Sequence, residues 1–152
     1  MRKIISVLVV LTLVFACLPT NSCAAEANEN QNIIAFEDGS YIEIVVEETI
    51  SRATNTKSGH KTYTYYDSTD TIEWQAKLSA SFTYTGTTSS CTSASCTVTV
   101  YDSRWYEISN TTTRSGNAAT TALTMGRKLL GITISKPEYT ITLTCDKDGN
   151  LS

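Results

Sequence analysis

Few residues in this 152-residue chain could do chemistry. The reactive set is one histidine, His60 beside Lys61, five cysteines and 15 acidic residues. Triad catalysis needs an imidazole held by a carboxylate and aimed at an activated serine. No GxSxG nucleophile elbow occurs, and serines are so frequent that closeness in sequence carries no information. His60 is therefore expected in a solvated loop. Glu47 and Glu48 are neighbours that would face opposite sides of a strand, so they make no carboxylate pair for glycoside cleavage. The chain does not read as an enzyme, and a secreted hydrolase ranks last among its readings.

Metal chemistry is equally thin. Asp146-Lys-Asp-Gly-Asn150 places oxygen donors on alternating residues, as a calcium loop begins, but the closing Glu of an EF-hand is missing. An Asp-Gly turn suits the same residues. Cys91-x4-Cys96 has no second cysteine pair and no nearby histidine for zinc. No metal and no cofactor is expected.

The cysteines read better as disulfide partners. Cys91 and Cys96 flank Thr92-Ser-Ala-Ser95, which reads as a hairpin tip in a loop from Gly86 to Ser95, and a Cys91–Cys96 bridge is expected there. Strand parity keeps a Cys96–Cys145 rival open, since Cys96 shares a face with Val98 and Val100, and Cys145 with Ile141 and Leu143. On the favoured pairing Cys145 is left as a buried free thiol or an intermolecular bridge.

Aromatic residues are the remaining lead. Trp74 lies on an apolar strand face and belongs to the core. Trp105 lies opposite Tyr106 and Ile108 and is expected to be exposed. Tyr101 shares a polar face with Thr97 and Thr99, and Tyr63 and Tyr65 share one with Lys61. Trp105, Tyr101, Tyr63 and Tyr65 are the candidate ligand contacts, able to stack on sugar rings or to anchor a protein partner.

These side chains must be carried by strands. Ile72 to Thr85 alternates strictly, with Ile72, Trp74, Ala76, Leu78, Ala80, Phe82 and Tyr84 on one face. So long a strand predicts a bend or bulge near Ser79-Ala80-Ser81. Shorter alternations follow Ser40 and cover 61–66, 96–101, 104–109, 120–125, 128–135 and 138–144. Residues 51–59 and 110–117 read as links. About eight short strands and no helix point to an all-β domain, an antiparallel β-sandwich of immunoglobulin-like or similar kind, with a small barrel as the alternative. Tyr66-Asp67-Ser68, Tyr101-Asp102-Ser103 and Cys145-Asp146 each end a Thr-rich alternation. Each predicts an aspartate that caps its own backbone in an Asx turn.

The front of the chain is an address. Met1-Arg-Lys3, an apolar run from Ile4 to Leu18, and small residues up to Ala24-Ala25 have the layout of a cleaved signal peptide over 1–25. About 15 apolar residues rise only about 22 Å as a helix, too short to span a bilayer. The mature chain has no transmembrane span. Val14-Phe-Ala-Cys17 loosely matches a lipobox and leaves a lipid anchor at Cys17 as a minor alternative. Residues 26–39 read as a flexible lead and 40–152 as one β domain. The net charge of −3 becomes more negative without Arg2 and Lys3, which argues against nucleic acid as a partner.

Three stretches also carry a resemblance: Thr71-Ile-Glu-Trp-Gln-Ala-Lys-Leu78, Cys91…Cys96-Thr-Val-Thr-Val100, and Leu143-Thr-Cys-Asp-Lys-Asp-Gly-Asn-Leu-Ser152. Over roughly residues 70–152 the chain resembles small uncharacterised secreted proteins of Gram-positive, clostridia-like bacteria. The resemblance implies a bacterial exported domain and transfers no functional residue. The expected function is that of an exported β-sandwich that binds a protein or glycan at the cell surface or in the medium. The alternative is a membrane-active, pore-forming-like β-protein, because strands that alternate Ser/Thr with apolar residues suit a membrane hairpin.

Overall fold

The computed structural model describes residues 32–49 and 55–152. The leader, Cys17 and the Ala24-Ala25 cleavage site lie outside these residues. Nine strands make up the described chain. Sheet A is a meander of β1 (Asn32–Ala35), β2 (Tyr41–Thr49), β3 (Thr56–Tyr66), β4 (Ile72–Tyr84) and β5 (Ser89–Val100). Sheet B holds β6 (Trp105–Ser115), β7 (Ala118–Leu129), β8 (Ile132–Ser135) and β9 (Glu138–Thr144). In it β7 is flanked by β6 on one side and by β8 and β9 in succession on the other. All pairings are antiparallel and the sheets do not close into a barrel, so the architecture is a β-sandwich. No helix among the described residues is long and apolar enough to cross a membrane.

The core follows the alternation of β4. Trp74, Ala76, Leu78 and Phe82 are fully buried. Ile42 and Ile44 of β2 pack beside them, and Ala119, Leu123, Met125, Ile141 and Leu143 cover them from sheet B. The expected irregularity in β4 is a register shift against β5 between Ser81 and Phe82. Such an extra residue reverses which side chains of the partner strand face inward. Cys91 therefore points inward opposite Phe82, and further along the strand Ala94, Cys96 and Val98 do so.

That strand overturns the expected disulfide. Residues 89–95 form no loop; they are the first half of β5. Cys91 and Cys96 lie five residues apart on one extended strand, about 16 Å at 3.3 Å per residue, far beyond the roughly 4–7 Å between the Cα atoms of a bridge. Cys91, Cys96 and Cys145 are all free thiols here. Three further differences follow, two of them because Ser- and Thr-rich strands offer too little hydropathy contrast to be told from loops and one because a four-residue strand is too short to show a period. Residues 110–115 belong to β6, β3 begins at Thr56, and Asn32–Ala35 of the expected lead pair with β2.

The strand-ending aspartates behave as their sequence predicts. Asp67 Oδ1 accepts the Thr69 and Thr71 N–H groups at 2.8 and 3.0 Å. Asp102 Oδ1 accepts Arg104 N–H at 2.7 Å, and Asp146 Oδ1 accepts Asp148 and Asn150 N–H at 2.8 and 2.9 Å. These bonds hold all three carboxyls below the usual aspartate range, led in each case by a side-chain donor: Thr69, Arg104 and Asn150.

Candidate functional site

Between the sheets, at the end where the chain crosses from one to the other, four aromatic residues of four different segments meet. Tyr65 of β3 stacks on Trp74 of β4 at 5.5 Å with ring planes 10° apart. Trp105, the first residue of β6, tilts against Tyr65 at 5.1 Å and meets Trp74 edge-on at 6.2 Å. Tyr139 of β9 leans on Trp74 at 5.1 Å. Trp74 is fully buried behind the other three rings; Tyr65, Trp105 and Tyr139 line an open cleft of about 440 Å³ together with Phe36, Arg127 and Ile134. Centroid spacings of this size are those at which tilted and offset rings attract.

The crossing itself sets Trp105 in place. Glu73 is 1% exposed, and its carboxylate accepts Trp105 Nε1–H at 2.5 Å and an Arg104 guanidinium N–H at 2.6 Å. Its backbone carbonyl accepts the N–H groups of Tyr101 and Asp102 at 2.9 and 3.0 Å. One residue thus holds the link by both backbone and side chain. On the far side of the ring the Arg127 guanidinium lies 5.6 Å from the Trp105 centroid, within cation–π range.

The opposite lip is the β1–β2 turn. Tyr65 O–H donates to Ser40 Oγ at 2.8 Å, and Ser40 donates both Oγ–H and N–H to Asp38 Oδ1 at 2.5 and 3.0 Å. The Ser40 hydroxyl, then its N–H, hold the Asp38 carboxyl below its ordinary range. Burial pushes the Tyr65 and Tyr139 phenols up, Tyr139 far beyond the usual tyrosine range. Both therefore stay neutral donors at physiological pH. The cleft offers three aromatic walls, two of them with neutral hydroxyls, and is lined also by one cation, Arg127, and by Glu37 and Asp38.

Of the expected contacts, Tyr65 and Trp105 meet in this cleft and Tyr63 and Tyr101 do not. Tyr63 is half-buried against the core one pair further along β3. Tyr101 is 58% exposed in the crossing and is not part of this cleft. Trp105 is not exposed as its parity suggests; it is 5% exposed. Trp105 and Glu107 share the face that pairs with Arg127 and the buried Met125, and Ile108 lies outward at 42% exposure; beyond a bulge between Glu107 and Ser109 the inward parity changes, and Asn110 bonds across the sheets to the Cys96 carbonyl at 3.1 Å. Lys61, Tyr63 and Tyr65 face the core because they pair with Val46, Ile44 and Ile42. Sequence reasoning missed Tyr139, although its parity with Ile141 and Leu143 points it inward, and missed Arg127 and Phe36, which carried no signal.

His60 lies within β3 and not in a loop, half-buried, with its Nε2 2.5 Å from Glu47 Oε2. Ser79 is its cross-strand neighbour on β4. Among the described residues the imidazole makes no hydrogen bond to a hydroxyl.

No family model matches the chain, and no curated protein is similar to it. Among solved structures, the chain is similar to a hypothetical protein from Listeria monocytogenes EGD-e, at 16% identity with a TM-score of 0.47, over 80% of this chain and 90% of that one.

Proposed function

We propose that the protein is an exported β-sandwich that binds a ligand at the bacterial cell surface or in the medium through the Tyr65–Trp105–Tyr139 cleft. The convergence of those rings on an open cavity supports this reading most. Flat aromatic walls, the neutral Tyr139 hydroxyl and a charged rim suit the alternating apolar faces and hydroxyl edges of sugar rings, so a glycan is the ligand class that fits best. Export rests on the basic, apolar and small-residue order of the first 25 residues.

Both tryptophans of the chain are in this cluster, so intrinsic fluorescence reports directly on its occupancy. Titration with soluble cell-wall glycan fragments is expected to shift the emission. Arg127→Ala should weaken that response about 10-fold, and Tyr101→Ala should leave it unchanged. A response that survives Arg127→Ala but vanishes with Tyr101→Ala would move the site to the crossing, and silence across the fragments would reject the glycan reading.

A second reading is favoured by the β7–β8 hairpin. Leu130 and Gly131 both have positive φ, 51° and 81°. Two such residues in a two-residue turn suit Asn-Gly or Asp-Gly. A leucine there is strained, and Leu130 is 95% exposed, with Leu129, Ile132 and Ile134 exposed beside it. Neither backbone preference nor solvation explains this tip, whereas insertion into an apolar medium does. Release of dye from anionic vesicles, abolished by Leu130→Asn, is the result that the membrane reading requires; intact vesicles would remove it.

A further inference from the structure

Two of the three free thiols among the described residues belong to cysteines whose backbones are bonded to adjacent residues of one turn. The β6–β7 hairpin turns at Gly116-Asn117. Cys91 N–H, near the start of β5 in sheet A, donates to the Gly116 carbonyl at 2.8 Å, and Cys145 N–H, just after β9 in sheet B, donates to the Asn117 carbonyl at 3.0 Å. Asn117 Nδ2–H donates back to the Cys145 carbonyl at 2.9 Å. Consecutive Cα atoms lie about 3.8 Å apart, so the two cysteine backbones converge from opposite sheets. Both side chains point into the same buried cluster, at 9% and 0% exposure.

We infer that Cys91 and Cys145 form a disulfide joining the two sheets when the protein folds in an oxidising environment. Each thiol now donates only to a carbonyl of its own segment, Cys91 to Ser93 at 3.4 Å and Cys145 to Asp146 at 3.5 Å, so a bridge breaks no other contact. Burial pushes the Cys91 thiol up; nearby Arg114 draws it down, and the Cys145 thiol adds to the rise, as a close neighbour would. Cys96 is the thiol left over. It lies against Thr121 and Asn110. Thr121 pairs with Ile141, four residues and about 13 Å of strand before Cys145. Cys96 is thus out of bridging range of both Cys145 and Cys91.

The chemistry is thiol–disulfide exchange with an external disulfide, either oxidised glutathione or an exported oxidoreductase. One cysteine thiolate attacks it, forming a mixed disulfide and releasing one thiolate; the second cysteine thiolate then displaces the other. Two thiols lose two protons and two electrons, and the external disulfide is reduced to two thiols. Because both sulfurs are buried in the folded protein, the exchange belongs to folding, before the sheets close over them.

The inference rests on the export reading only for where oxidation takes place, and the test separates the two. The purified, reduced, unfolded chain is refolded in a glutathione redox buffer, alkylated in denaturant without reduction, and mapped by peptide mass. The expected result is a linked pair of peptides containing Cys91 and Cys145, with Cys96 alkylated. Cys96→Ser should keep the link, while Cys91→Ser and Cys145→Ser should lose it, with circular dichroism confirming that each variant is folded. Alkylation of both Cys91 and Cys145 after refolding, or a link that contains Cys96, would overturn the inference. The same map on protein taken from the culture medium should show the link; thiols in cell-derived protein together with a link after refolding would refute export and keep the pairing.

Discussion

Glu73→Ala is expected to lower the free energy of unfolding by about 3 kcal/mol, read as a shift of the urea midpoint at unchanged slope. The carboxylate is withdrawn from water and accepts from both Arg104 and Trp105. Its loss falls unequally on the two partners. Arg104 is about half exposed and recovers water, whereas Trp105 Nε1–H is left buried without an acceptor, which costs about 1–3 kcal/mol before the lost packing is counted. Glu73→Gln keeps an acceptor of the same shape and should cost less than half as much. A midpoint that barely moves in Glu73→Ala would mean that the link between the sheets is held by its backbone bonds alone.

Trp74→Ala should be the most damaging single truncation, at about 3–5 kcal/mol. Trp74 is fully buried and touches Tyr65, Trp105 and Tyr139, so its removal leaves a cavity under all three cleft walls. Trp74→Phe is the informative companion. Trp74 Nε1–H finds no acceptor among the described residues, and a buried donor without a partner is itself a cost of about 1–3 kcal/mol. Phenylalanine removes that cost while giving up part of the ring, so the net loss should be about 1 kcal/mol. A Phe variant as unstable as the Ala variant would show that the indole donor is satisfied in solution, for instance by a trapped water.

Trp74 and its strand were legible in the sequence because β4 alternates apolar and polar residues without exception along the buried face. The Asx turns at Asp67, Asp102 and Asp146 were legible too, since an aspartate closing a Thr-rich strand has a local reason to fold back on its own N–H groups. β5 and β6 were not. Ser89–Ser95 and Asn110–Ser115 are strands because their neighbours offer open ladders, and nothing in their own composition says so. Bulges did further damage. Parity counts two residues per repeat, and one extra residue at Ser81/Phe82 or Glu107/Ser109 reverses every inference beyond it. Trp105 reads as solvent-facing for a different reason: Tyr106 and Ile108 read as the inward face, yet Ile108 is 42% exposed, and Cys91 is placed in a loop by the Ser/Thr-rich composition around it. The cleft was half legible: Tyr65 and Trp105 were named for their chemistry, but their meeting with Tyr139 depends on how two sheets stack, which no local pattern encodes.

Among the described strands, every hydrogen-bonded neighbour is also the neighbour along the chain, except where β9 returns to β7. The mean sequence distance between partners is therefore short for an all-β protein, and a low contact order shortens the conformational search. Sheet A can zip up hairpin by hairpin as it is synthesised, without waiting for any later segment. Its inner face has no such independence. Ile42, Trp74, Leu78 and Phe82 stay uncovered until residues 105–144 arrive, and in that interval a finished sheet with a bare apolar side is most open to another copy of itself. The four-residue crossing from Tyr101 to Arg104, tied to a strand already in place, delivers the second sheet to that side as soon as it emerges.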